Sequence, residues 1–337
     1  MSIFLGLLLV LIAGLLVGSF LIPGEKMQGW QWEHMWAVFS LFGMLAVNCA
    51  FACIFIPHIT SFYAGLSHHE MMTLIAFGAA WGVGAILFGI GMDKLGLALG
   101  YPVIMGLNAS LGTLIPLFVL FPEQAHSYKG LATIAASVIA VTGIWVCSTA
   151  GARKDGASLQ QRTSASPRFA YGIIIAVLAG MTAGLPNIGL AFSQSILQKA
   201  LAFGIPSALT GDVVWVIFFA IGSLVNLAYA LILVTRRRTW PAFWAPLAGR
   251  NFLFGFAMSL VWVSSLYVFN WSSSYLGPWG PVLGWPLYVI TSILAGVLWG
   301  WKRGEWKGAT APTKRFFAKG LALLALAILS FAGVNLL

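Results

Sequence analysis

The chain has 337 residues, of which 60% are hydrophobic and only 8% charged, with a mean hydropathy of +0.93. That composition excludes an ordinary soluble domain of this length. The formal charge of +10 does not mark a nucleic-acid binder, because the basic residues gather in short breaks between apolar runs.

Ten apolar stretches make up nearly the whole chain: Ile3–Leu21, Glu33–Phe55, Glu70–Gly91, Gly96–Phe121, Leu131–Ala150, Phe169–Asn187, Leu209–Val234, Phe252–Asn270, Gly280–Trp299 and Phe317–Leu336. Each is close to the roughly 20 residues that a helix needs to cross the hydrocarbon layer. Backbone polar groups inside lipid must be satisfied within the segment, so each stretch is predicted to be a helix. The expected fold is an all-α integral membrane protein with ten transmembrane helices.

Ile3–Leu21 has no basic residue before it, and the first Lys is Lys26, so it reads as a span rather than a cleaved leader. Cys49, Cys53 and Cys147 sit inside spans and read as small packing residues. His68, His69 and Glu70 open the third stretch, ten residues after His58. Adjacent helical residues do not share a face, so this run reads as a helix cap, and no metal site or cofactor is expected.

The polar break after the fifth stretch divides the chain into a first five-helix half (1–150), a linker (151–168) and a second five-helix half (169–337). Halves with an odd number of spans insert in opposite senses, which gives two inverted repeats. A short internal likeness agrees. Trp81 is followed fourteen positions later by Leu95-Gly96, and Trp262 by Leu276-Gly277 at the same interval. With ten spans, sixteen of the 18 Lys and Arg fall on the side of the first break, and only Lys129 and Lys199 on the other. The basic side is then cytoplasmic and both termini lie outside.

Gly14 and Gly18, Gly78 and Gly82, Gly96 and Gly100, Gly180 and Gly184, and Gly296 and Gly300 have the four-residue spacing that lets helices approach closely. Most tryptophans fall at span ends, as interfacial anchors do. Trp81 and Trp262 fall mid-span, where an indole either packs in the bundle or lines a cavity. Asn48, Asn108, Asn187, Gln194 and Asn226 should face the bundle interior, because an amide facing lipid is costly. Each could simply bridge helices. Together with Trp81, Trp215, Trp262, Tyr267, Trp285 and Tyr288 they form a candidate lining for a neutral polyhydroxylated ligand, with indole faces for C–H groups and amides for hydroxyls.

Asp212 is the one acidic residue well inside a span. Loss of water favours its neutral form, which suits a proton-exchanging group, although a carboxylate near a helix start also complements the dipole. Glu33 is the second proton candidate, alternatively an anchor or a partner of Lys26.

Gly18-Ser19-Phe20, Pro23, Lys26 and Trp30-Gln31-Trp32-Glu33-His34-Met35-Trp36 resemble the opening of the bacterial L-rhamnose–proton symporter family. Phe77-Gly78-Ala79-Ala80-Trp81-Gly82-Val83-Gly84, Gly112-Thr113-Leu114-Ile115-Pro116, Val225-Asn226-Leu227 and Gly304-Glu305-Trp306 are similar to the same family. The resemblance covers essentially the whole chain. It implies a secondary transporter of the drug/metabolite superfamily, not an enzyme. Its partners would be a small neutral sugar, a proton and the bilayer, with no nucleic acid, in a monomer or weak dimer of the bacterial inner membrane. The implied activity is uptake of a 6-deoxyhexose, L-rhamnose or a relative such as L-fucose, by alternating access. The alternatives are an exporter of amino acids, drugs or metabolites on the same fold, and a membrane enzyme acting on lipid-linked sugars. No phosphate-binding loop or nucleophile–base pair supports the last.

Overall fold

The structure is a computed structural model that describes residues 2–154 and 167–336. Most of the 151–168 linker lies outside the described residues. The helices are α1 (Ser2–Ser19), α2 (Trp32–Phe39), α3 (Asn48–Phe55), α4 (Ile59–Ala64), α5 (His68–Leu120), α6 (Tyr128–Lys154), α7 (Pro167–Ala183), α8 (Leu185–Phe192), α9 (Gln194–Ala202), α10 (Thr210–Arg237), α11 (Ala248–Leu276), α12 (Gly280–Lys302) and α13 (Ala311–Leu336). Among the described residues there is no strand.

Eight helical stretches are long and apolar enough to cross a membrane, or nine if the bent pair α7 and α8 forms one span. Ala248–Lys302 counts once among the eight, although a 3-10 turn at Gly277–Trp279 divides it into α11 and α12. The separately predicted third and fourth stretches are two of these eight, His68–Leu95 and Leu99–Leu120, although helical backbone runs from one into the other as α5. The chain nevertheless folds back inside α5. A Cβ placed on Gly100 would lie 3.2 Å from the carbonyl oxygen of Gly91. Nine residues of straight helix rise about 13.5 Å, so that approach requires a reversal. A Cβ on Gly280 would likewise meet the Ser273 carbonyl at 2.7 Å. Leu95-Gly96 and Leu276-Gly277 thus both sit at hairpin reversals. Gly277 takes φ +70°, a left-handed conformation that a side chain would strain.

Two spans depart from plain α-helix. Between α2 and α3 the chain makes eight residues of π-helix, Ser40–Val47. The expected sixth span Phe169–Asn187 is broken by 43° at Gly184 and continues to Phe192. Pro186 lacks an N–H and starts α8 where no intrahelical bond is needed.

The packing follows the small residues. Helix α1 lies along α11 and α12, and α7 lies along α5. Helix α10 packs on α5 and on the α2–α3 span, which also contacts α11, and α6 pairs with α13. A Cβ on Gly14 would strike Thr291, and one on Gly18 would strike the Ser292 carbonyl. Gly78 and Gly82 open α5 to Phe218 and Gly222 of α10, and Gly180 opens α7 to Leu107. Gly296 has open space around it, so close packing explains the first pairs and not that position.

Candidate functional site

Helix α10 holds the centre of the bundle. Phe219 stands on it with Trp81 of α5 on one contact and Trp262 of α11 on another, each edge-to-face at 4.9 Å between ring centroids. Trp262 also meets Phe39 of α2 edge-to-face at 5.6 Å. Trp81 reaches α10 because Gly222, one turn beyond Phe219, leaves space that a Cβ would fill. Such T-shaped contacts satisfy the ring quadrupoles without hydrogen bonds.

A second aromatic group continues from the first through Trp215. Trp215 contacts Phe219 at 5.7 Å and stacks on Phe269 at 5.3 Å. Trp285 and Tyr288 of α12 pack on Phe269 at 5.8 and 5.0 Å. The polar handles of these rings are all engaged. The Trp215 indole donates to the Pro186 carbonyl at 2.9 Å, and the Trp285 indole to Asn108 Oδ1 at 3.2 Å. The Tyr288 hydroxyl lies 3.1 Å from Ser265 Oγ.

The amides cross-link helices. Asn48 donates to the Val216 carbonyl of α10 at 3.2 Å. Asn226 accepts from the Trp36 indole at 2.9 Å and donates to the Gly82 carbonyl at 3.2 Å. Asn187 donates to the carbonyls of Gly112 and Pro281, both at 2.7 Å. The Gly112 carbonyl would ordinarily accept from residue 116, which is Pro116 and has no N–H. Asn187 therefore satisfies an acceptor that the proline frees, as buried backbone in lipid requires. Its own Oδ1 is buried without a partner among the described residues.

Asp212 opens the other end of this region, in the first turn of α10, and is 1% exposed. Asn270 Nδ2 of α11 donates to its Oδ1 at 2.7 Å, while Oδ2 is buried and unpartnered among the described residues. A Cβ on Gly211 would occupy the Asn270 side chain, so the glycine makes this pairing possible. Tyr63 ties α4 to the same turn by donating to the Val213 carbonyl at 2.9 Å.

A family model, that of the L-rhamnose-proton symport protein (RhaT), matches residues 1–335. The chain belongs to this family. L-rhamnose-proton symporters from Mannheimia succiniciproducens and Yersinia pestis are 25% and 24% identical over 333 residues, 97% of this chain and 96% of theirs. One solved crystal structure shares the fold with a TM-score of 0.55 at 18% identity, covering 98% of this chain and 95% of that one. The symport protein family is one of transporters, not enzymes.

In this family member the second proton candidate, Glu33, sits at the far end of α10 from Asp212. Its side chain is fully buried and held by Arg237 Nη1 at 3.0 and 3.1 Å, so the partner is Arg237 and not Lys26. Asp212 and Arg237 stand 25 residues apart on one helix, which is roughly 38 Å along its axis. The Glu33–Arg237 pair borders a cavity of about 360 Å³ with Trp32, Asp93 and Tyr229. Two other candidates lie apart from the aromatic centre. Tyr267 lines a recess with Phe51, Phe55 and Trp271, and Gln194, at the start of α9, donates to the Leu190 carbonyl of α8. Glu70 caps α5 through Ser67 and pairs with Lys199 at 2.7 Å. Among the described residues no three His, Cys, Asp or Glu are grouped to hold a metal.

Sequence reasoning missed Phe39, Phe219, Phe269, Asn270 and Arg237. The chain has 24 Phe, and nothing in the string separates a central ring from a lipid-facing one. Asn270 carried a signal, as an amide at the end of the eighth predicted stretch.

Proposed function

We propose that this family member carries L-rhamnose and a proton together across the bacterial inner membrane, into the cell. The observation that carries this is the match of the whole chain to the L-rhamnose-proton symport protein family, joined to a core of indoles and amides with the buried carboxyl of Asp212 at its edge. A neutral deoxyhexose offers C–H faces to indoles and hydroxyls to amides. The sugar binds beside Trp81 and Trp262, with Asn108, Trp285 and Tyr288 nearby. Asp212 exchanges the proton, since its unpartnered Oδ2 is free to take one.

The same reading holds that ten spans form two inverted repeats, residues 1–150 and 169–337, with the basic end cytoplasmic and both termini outside. The packing supports it. Exchanging the halves turns α1 on α11–α12 into α7 on α5, turns α2 on α11 into α10 on α5, and leaves α6 on α13 unchanged. All of these contacts exist. Transport then proceeds by rocking of one repeat against the other, with the chain acting as a monomer or weak dimer.

Proteoliposomes with an inward proton gradient test the activity. Accumulation of labelled L-rhamnose that collapses with a protonophore supports symport. Accumulation of L-fucose in preference would reassign the sugar, and gradient-driven efflux of amino acids or drugs without sugar uptake would sink the reading.

A further inference from the structure

The aromatic centre is nearly symmetric, and the place where symmetry fails is informative. Trp81 and Trp262 are 181 positions apart, and Phe39 and Phe219 are 180 apart. Trp81 meets Phe219, and Trp262 meets Phe39, so each indole pairs with the phenylalanine of the other half. Exchanging the halves maps one pair onto the other. Phe219 makes a further contact, to Trp262 at 4.9 Å. Its counterpart would be Phe39 on Trp81, and among the described residues those two rings are not in contact.

Depth gives the asymmetry a direction. Phe39 lies seven residues into α2, on the side of Glu33 and Arg237, and Phe219 lies seven residues beyond Asp212. Each ring is therefore about 10 Å in from its own end of the bundle, with the two indoles between them. On the Asp212 side Phe219 touches both central indoles; Phe219 and Phe39 are both buried, so the contacts and not burial distinguish the two sides. Toward the basic end Phe39 touches one of the two central indoles, Trp262, and packs also on Trp36 and Phe20, and that end holds the cavity bordered by Glu33, Arg237 and Asp93. The Phe39 ring lies over Gly43, one turn on, in space that a Cβ would fill.

We propose that Phe39 and Phe219 are paired gating residues that close the sugar site from its two sides, and that in the opposite-facing state a Phe39–Trp81 contact replaces the Phe219–Trp262 contact. The proposal rests on the two-repeat symport reading above. It adds that the two phenylalanines take turns: when one bridges both indoles, the other holds one.

Ser223 supplies a reporter. It lies one turn from Phe219 on the same face of α10, is fully buried, and its hydroxyl has no partner among the described residues. The experiment uses the full chain in sealed, oriented proteoliposomes, with Cys49, Cys53 and Cys147 replaced by Ser and Ser223→Cys introduced. A membrane-impermeant thiol reagent is added to one side at a time. Phe219→Ala should raise the labelling rate from the Asp212 side at least tenfold, and Phe39→Ala from the basic side. Phe219→Leu keeps much of the bulk and should shift the rate in the same direction by less, which preserves the test if the alanine variant does not fold. Equal labelling of Ser223→Cys with and without each substitution, in protein that elutes as folded, overturns the gates. L-rhamnose protection is read separately: gates that respond while the sugar never protects would refute the sugar and leave the gating proposal standing.

Discussion

Asn270 holds one oxygen of Asp212 at 2.7 Å and leaves the other buried with no partner among the described residues. The Asn270 donor to Oδ1 can be kept when the carboxyl is protonated, which leaves Oδ2 as the oxygen that holds the proton. Asp212→Asn should therefore abolish proton-driven accumulation of L-rhamnose while sugar exchange at equal concentrations survives. Uphill uptake at the wild-type rate in the Asn variant would move the coupling role to Glu33.

Asn270→Ala removes the only side-chain donor to that carboxyl among the described residues. Stranding a buried acceptor costs about 1–3 kcal/mol, so thermal unfolding in detergent should shift down measurably. Asp212→Asn paired with Asn270→Ala should cost less than the sum of the two changes, because a neutral amide needs the donor less. Strict additivity would show that the two side chains do not act together.

Arg237 and Glu33 should be unequal partners. Arg237 is 55% exposed and Glu33 is not exposed at all. Arg237→Gln leaves a buried carboxylate uncompensated, whereas Glu33→Gln leaves a cation that water can reach. The arginine variant should be the less stable by about 1–2 kcal/mol, a range reduced for the exposed partner. Glu33→Gln in the Arg237→Gln background should recover most of that loss. Equal midpoints for the two single variants would count against the pairing.

Asn187 serves a carbonyl that Pro116 frees. Asn187→Ala should cost about 1–2 kcal/mol, the range of interhelical hydrogen bonds in membranes. In a Pro116→Ala background the N–H of residue 116 can bond the Gly112 carbonyl, so the same change should cost less. An undiminished penalty there would place the role of Asn187 at Pro281 instead.

Gly78 lies where α5 crosses α10, and a Cβ there would run into the Phe218 carbonyl. Gly78→Val should push the helices apart and separate Trp81 from Phe219. Sugar affinity and stability should fall together, with loss of folded protein on gel filtration as the visible result. Gly296→Ala, with open space around it, should change neither.

The sequence by itself determined the solvent in which this protein folds. Runs of about 20 apolar residues admit only helices in lipid, so the all-helical architecture followed from composition and spacing alone. Periodic glycines foretold close approach in α1, α5 and α7. Tertiary structure decided what a one-dimensional pattern cannot carry. The bend at Gly184 and the π-helical run Ser40–Val47 arise from local backbone bonding with no hydropathy signature. Which of many similar phenylalanines meets both central indoles depends on rotation about helix axes. So does the pairing of Asp212 with Asn270 across 58 positions, and of Glu33 with Arg237 across 204. In a bundle whose spans are apolar on every side, hydropathy does not distinguish positions. Only the facing of each helix does, and that is set by contacts between helices rather than by any one of them.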